Sequence, residues 1–132
     1  MPAVTGVLET SLYVDDVERA THFYEQLFGF PMMVGDGRIR ALNVREGQVL
    51  LLFKRGASLG ADQFPTHDGS GPLHLAFSIR EEDFAAWEKH LERLGIAVES
   101  RKRWERGGQS LYFRDPEGHL LELVTPGCWE NY

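Results

Sequence analysis

Three side chains of this sequence combine chemistry-bearing types with an unusual setting: Glu9, His74 and Glu122. Each lies in a short strand-like run, VLETSLYV at 7–14, LHLAFSI at 73–79 and HLLELV at 119–124. Successive strand side chains point to opposite faces, so parity sorts each run into two surfaces. Leu8, Leu12 and Val14 form one face of the first run, and Glu9, Ser11 and Tyr13 the other. In the second, Leu73, Leu75, Phe77 and Ile79 oppose His74, Ala76 and Ser78. In the third, Leu121 and Leu123 oppose Leu120, Glu122 and Val124. The polar groups therefore share their faces with small or apolar neighbours. A carboxylate in such a place needs a partner, because burying an unpaired charge costs several kcal/mol. One imidazole and two carboxylates on separate rigid strands make a three-donor set for a divalent cation, with positions left open for water or substrate. Taken singly, an inward histidine such as His74 is more often a hydrogen-bonded core residue than a ligand, and Glu9 reads as a solvated edge residue.

The elements that must position these groups occur twice. A strand at 7–14 runs into a helical pattern with Val17, Ala20, Phe23, Tyr24 and Leu27 at three- and four-residue steps; Asp15 and Asp16 stand at its start and Gly29 at its end. The strand at 73–79 runs into a second helix with the stripe Phe84, Trp87, Leu91 and Leu94; Glu81, Glu82 and Asp83 suit its positive end, and Gly95 stops it. A short strand and a hairpin follow each helix. ALNVREGQVLLLF at 41–53 superimposes on YFRDPEGHLLELV at 112–124, with Glu46-Gly47 matching Glu117-Gly118. The reading is an α+β chain of two tandem βαβββ modules, about 7–54 and 72–126, joined by a Gly-, Pro- and polar-rich linker at 55–71. Neither half is large enough to stand alone, so a single domain spanning 1–132 is expected, its modules packed on each other or on a second chain.

Length and composition narrow the function classes. At 132 residues, 42% apolar and 26% charged, the chain fits one globular domain. A formal charge of −6 disfavours phosphate backbones and anionic lipid, so neither nucleic acid nor membrane is an expected partner. Cys128 is the only cysteine, which excludes an intrachain disulfide and a thiolate metal cluster. The opening MPAVTGVLET lacks the regions of a signal peptide, and a cytoplasmic location is expected.

The opening LETSLYVDDVERATHFYEQLFGF, the central GPLHLAFSI and the closing SLYFRDPEGHLLELVTPG resemble the vicinal oxygen chelate superfamily, over about residues 7–126. That superfamily includes glyoxalase I, methylmalonyl-CoA epimerase, extradiol dioxygenases, fosfomycin resistance thiol transferases and bleomycin resistance proteins. The resemblance implies open curved sheets that close a glyoxalase-like barrel within one chain or between two, and a homodimer is expected. It also implies metal ligands at Glu9, Leu51, His74 and Glu122. Leucine cannot ligate, which leaves Glu9, His74 and Glu122 and departs from a glyoxalase-type four-ligand site. Glu9 departs from the histidine that dioxygenases and fosfomycin transferases carry at the first position. Ser11, Tyr112 and Lys102 stand where the fosfomycin group has substrate-contacting groups.

The implied activity is that of a metal-dependent enzyme acting on a small oxygenated metabolite by isomerisation, addition or cleavage, lyase- or isomerase-like. Glu9 and Glu122 are the catalytic candidates, since a carboxylate beside a metal either ligates or takes a proton. The donor set admits Mn(II), Mg(II), Zn(II), Ni(II) and Fe(II). His67 reads as a lid residue, a fourth ligand or a polar loop residue. Trp104 lines the pocket or packs, and Arg114 binds substrate or pairs with Asp115 or Glu117. The alternatives are a fosfomycin-type thiol transferase and a metal-free binding protein of the bleomycin-resistance sort.

Overall fold

The computed structural model describes residues 1–60 and 64–132. The chain divides into two compact units, Met1–Ser70 and Gly71–Tyr132. The first holds β1 (Glu9–Val14), α1 (Val17–Phe28), β2 (Met32–Gly35), β3 (Ile39–Arg45) and β4 (Gln48–Lys54). Its sheet has the order β1-β4-β3-β2, with β1 parallel to β4 and the other pairs antiparallel. The second holds β5 (His74–Ser78), α2 (Phe84–Arg93), β6 (Ser100–Arg103), β7 (Gln109–Arg114) and β8 (Leu120–Val124), in the order β5-β8-β7-β6 and with the same pairing senses. Two tandem α+β modules of βαβββ type are thus present. In each, the helix and the next two strands form the crossover that a parallel pair requires.

Local signals explain the helix boundaries. Asp16 is extended, and its Oδ1 accepts from the backbone N–H of Glu18 at 3.1 Å and Arg19 at 3.0 Å, satisfying two of the orphan donors of α1. Asp15 instead pairs with Arg55 at 3.1 Å. Gly29 closes α1 at φ 71°, in the left-handed region that glycine enters without a β-carbon clash. The acidic run Glu81–Asp83 forms a 3₁₀ turn leading into α2; Asp83 makes no cap bond there and is held by Arg80 at 2.7 Å.

The helices differ in depth. Val17, Ala20, Thr21, Tyr24 and Leu27 of α1 are buried, whereas on α2 only Leu91 is. Leu94 is 38% exposed and falls outside the core stripe that its spacing predicts, because the helix ends at Arg93 and Leu94 lies in the cap. Leu8 is 59% exposed, since β1 begins only at Glu9 and Leu8 has no place in the sheet's apolar face. Leu75 and Phe77 of β5 are half-buried, while Leu111, Phe113, Leu121 and Leu123 on the neighbouring strands are fully buried.

Residues 64–70 lie with the first unit. The Asp68 carboxylate accepts from the Gly56 N–H at 3.0 Å and Arg55 donates to the Gly69 carbonyl at 3.1 Å. Gly69 sits so close to the Tyr13 ring that a β-carbon there would come within 2.5 Å of it. Residues 64–70 therefore fold back onto the first module, with Gly69 against Tyr13 of β1. No helix among the described residues is long and apolar enough to cross a membrane.

Candidate functional site

Strand register fixes which residues of the two modules correspond. Glu9 pairs with Val49 and Ser11 with Leu51 across β1 and β4; His74 pairs with Leu120 and Ala76 with Glu122 across β5 and β8. Glu9 therefore matches His74, and Leu51 matches Glu122. Across the antiparallel pairs, Ala41 lies opposite Leu51 and Tyr112 opposite Glu122, while Ile39 lies opposite Phe53 and Ser110 opposite Val124. Tyr112 thus stands where the first module has Ala41, and Ser110 where it has Ile39.

In the second unit these positions gather into one polar cluster. The His74 Nδ1 lies 2.9 Å from the Leu120 carbonyl, which can only accept, so Nδ1 carries a proton and Nε2 is the nitrogen left to face Glu122. Nε2 is 3.3 Å from Glu122 Oε2. Two donors each about 2.1 Å from one ion, at an angle of roughly 100°, lie at that kind of separation, so the pair fits adjacent corners of a metal site. The backbone carbonyl behind the imidazole is the usual outer partner of a ligating histidine.

Glu122 is 6% exposed. Its other oxygen, Oε1, accepts from Ser110 Oγ at 2.5 Å, and Ser110 accepts from the Trp104 indole N–H at 2.8 Å. The Lys102 ammonium lies 4.0 Å from the Trp104 ring centroid. Lys102 pairs with Ser110 and Ser100 with Tyr112 across β6 and β7, which places Lys102 on the cluster's face of the sheet. Burial, followed by the Glu122 carboxylate beside it, pushes the Tyr112 hydroxyl above its ordinary value. The Cys128 thiol is also pushed up, first by burial and then by the charge of Glu122, with Lys102 pulling the other way. The tail that carries Cys128 is folded back, Tyr132 donating to the Val124 carbonyl at 3.0 Å and Gly127 to the Tyr132 carbonyl at 2.7 Å.

The first unit presents a different surface. Glu9, exposed at the start of β1, borders a pocket of about 540 Å³ floored by Ile39, Leu51 and Phe53 and bounded by Phe64, Pro65 and His67. His67 Nδ1 is 2.7 Å from the Tyr13 hydroxyl, and its ring stands edge-on to Phe53 with centroids 4.6 Å apart. Ser11 is half-buried opposite Leu51.

Among the described residues, no three of His, Cys, Asp and Glu come together closely enough to hold a metal ion. His74 and Glu122 supply two donors, and Glu9 is carried by the other unit. Arg114 is engaged by Glu99, at 2.7 Å and 3.3 Å, and by the Gly118 carbonyl. His119 is fully buried and accepts from the Leu73 N–H at 2.9 Å, a structural contact within the second unit. Residue type alone does not mark Ser110 as part of the cluster. Its signal in the sequence is weak but real: it lies two residues before Tyr112, on the same strand face as Glu122's neighbours.

Residues 6–123 match the model of the Glyoxalase/Bleomycin resistance protein/Dioxygenase superfamily. The chain is 32% identical over 129 residues to the metallothiol transferase FosB of Bacillus licheniformis, covering 97% of this chain and 80% of that protein. It is 30% identical to the glutathione transferase FosA of Serratia marcescens, covering 86% and 75%. The crystal structure of lactoylglutathione lyase from Agrobacterium tumefaciens superimposes with a TM-score of 0.91 at 31% identity, covering 98% and 99% of the two chains. Matched along nearly its whole length, the chain belongs to the glyoxalase/bleomycin resistance protein/dioxygenase superfamily, the vicinal oxygen chelate group.

Proposed function

We propose that this protein is a metal-dependent transferase that joins a thiol to a small oxygenated electrophile of the fosfomycin type. The observation that carries the reading is the His74–Glu122 pair, with Nδ1 held by the Leu120 carbonyl and Nε2 3.3 Å from a carboxylate oxygen. The names of two relatives, a metallothiol transferase and a glutathione transferase, support thiol transfer.

His74 Nε2 and Glu122 Oε2 would hold a divalent cation, with Glu9 as the third ligand, contributed by the first module of the same chain or of a second copy in a homodimer. When bound, the ion supplies Lewis acidity toward the substrate's oxygens. Lys102 offers a cation to an anionic substituent, and the Tyr112 and Ser11 hydroxyls donate hydrogen bonds to its oxygens. The Tyr112 hydroxyl, pushed upward by burial and Glu122, stays protonated at neutral pH and acts as a donor. His67, held by Tyr13, borders the Glu9 pocket and would orient the substrate's apolar part there. A reducing cytoplasm would supply the thiol.

The lyase similarity offers a second reading. Leu51, at the position that matches Glu122, removes one donor from a site built on both modules and weighs against it. The test is direct. Protein stripped and reloaded separately with Mn(II), Mg(II), Zn(II), Ni(II) and Fe(II) is incubated with fosfomycin and glutathione, cysteine or another low-molecular-weight thiol, and adducts are sought by mass spectrometry. A metal-dependent thioether supports the transferase. Absence of any adduct from the metal-loaded protein defeats it, and failure to retain any metal favours a sequestering protein.

A further inference from the structure

Glu122 has two carboxylate oxygens, and the second unit treats them differently. Oε2 faces the His74 Nε2 at 3.3 Å, and Oε1 faces Ser110 at 2.5 Å. The direction of the second contact is fixed by its neighbour. An indole N–H can only donate, so Trp104 Nε1 at 2.8 Å occupies an acceptor position on Ser110 Oγ. The Tyr112 hydroxyl also hydrogen-bonds to Ser110 and Glu122, and since a carboxylate can only accept, the serine proton is directed to Glu122 Oε1. Ser110 is fully buried, so no bulk water competes for either bond. The Lys102 ammonium over the face of Trp104 draws electron density from the ring and strengthens its N–H as a donor. Trp104 and Ser110 sit at opposite sides of the β6–β7 hairpin, whose turn is closed by Trp104 N–H to Gly108 O at 2.8 Å and Gly107 N–H to Trp104 O at 2.9 Å. The donor chain is therefore built into a rigid turn.

We infer that Ser110 and Trp104 are positioning residues that confine Glu122 to ligation through one oxygen, Oε2, by occupying Oε1 with a one-way hydrogen-bond relay. The inference rests on the metal-site reading above and deepens it. A carboxylate free at both oxygens can swing into two-oxygen ligation and fill a coordination position that substrate needs. The relay keeps that position open and spares the carboxylate the entropy of being fixed at the moment of binding.

Mn(II) affinity, read from the free-ion electron paramagnetic resonance signal, and the visible spectrum of the Co(II)-loaded protein test this without recourse to activity. Loss of an outer partner of a metal ligand typically lowers affinity about 10- to 100-fold, and that is the loss expected for Ser110→Ala, with a changed Co(II) spectrum as coordination rearranges. Ser110→Thr, which keeps the hydroxyl, should restore most of the affinity. Trp104→Phe removes the indole N–H while keeping a ring, and should shift both readouts in the same direction by a smaller factor; it remains informative if Ser110→Ala does not fold. Wild-type affinity and an unchanged spectrum in Trp104→Phe or in folded Ser110→Ala overturn the relay. Wild-type protein that binds none of these ions overturns the metal-site reading itself, a separate outcome.

Discussion

The two modules share strand order, pairing sense and register, yet they place different chemistry at matched positions. Where the second has His74, Glu122, Tyr112 and Ser110, the first has Glu9, Leu51, Ala41 and Ile39. One sheet face became a polar cluster tied by directional bonds, and the other became a largely apolar pocket of about 540 Å³ bordered by Glu9, Arg38 and His67. Backbone hydrogen bonding and the buried side of each sheet specify the frame, so the other side is free to diverge by single substitutions. The helices diverge in the opposite sense: α1 is deeply buried and α2 is not.

The sharpest break of this asymmetry removes the donors of the second module. His74→Ala and Glu122→Gln should each lower Mn(II) affinity by more than the roughly 100-fold upper range for an outer partner, since a direct ligand is lost. Elemental analysis after gel filtration would show substoichiometric metal. Retention of a full equivalent in either variant would place the ion elsewhere. The matched change in the first module, Leu51→Ala, should leave the metal content intact.

The helix contrast predicts unequal stability effects. Leu27, 2% exposed in α1, should cost about 2–5 kcal/mol when cut to alanine, through lost burial and a residual cavity. Leu94, 38% exposed beyond the end of α2, should cost less than about 1 kcal/mol. Urea denaturation of both variants measures the difference, and equal costs would mean that Leu94 is covered in solution by something this chain alone does not supply.

A more delicate change tries to make the modules alike. Leu51→Glu puts a carboxylate beside Glu9 at the same two-residue offset that relates Glu122 to His74. Without metal, it should lose roughly 1–3 kcal/mol, from the desolvation of a polar group in a largely apolar pocket, with the repulsion by Glu9 opposed by Arg38 on the same pocket. Saturating Mn(II) should recover part of that loss by supplying the missing partner. If the urea midpoint of the variant responds to Mn(II) no more than that of the wild type, the first module's face does not see the ion.

Much of this frame is legible in the residues, and the reasons are local. Period-two alternation in LHLAFSI places His74 opposite Leu75 and Phe77, and the repeated Glu-Gly turns align the hairpins, which is enough to equate Leu51 with Glu122. Asp16 and Gly29 mark α1 for the same reason: capping is a matter of a few adjacent residues. What escapes the sequence depends on partners brought from afar. Ser110 looks like any small strand residue until Trp104 and Glu122 are seen on either side of it. Leu8 continues an apolar alternation that the sheet does not continue. Nothing local in PTHDGSG says that His67 will fold back on Tyr13, or that Gly69 will press against its ring.

Arg114 shows how such distant partners can be checked at the smallest scale. Its position in YFRDPEG suggests an acidic neighbour in the turn, yet its guanidinium reaches Glu99, just before β6. The hydrogen bonds from Arg114 hold the Glu99 carboxyl below its ordinary value of 4.5. A carboxyl with a depressed folded-state value releases its proton more readily in the folded chain than in the unfolded one. Its contribution to stability is therefore present above about pH 4.5 and is lost as pH falls through the depressed value. Arg114→Ala should return Glu99 upward toward 4.5, seen in its carboxyl carbon-13 chemical shift. The pair is solvent-exposed and screened by salt, so the accompanying change in acid stability should be small and should vanish at high ionic strength. An unmoved Glu99 titration would show that the ion pair does not persist in solution, and would release Arg114 for the substrate contact that its place on the Tyr112 face of β7 otherwise allows.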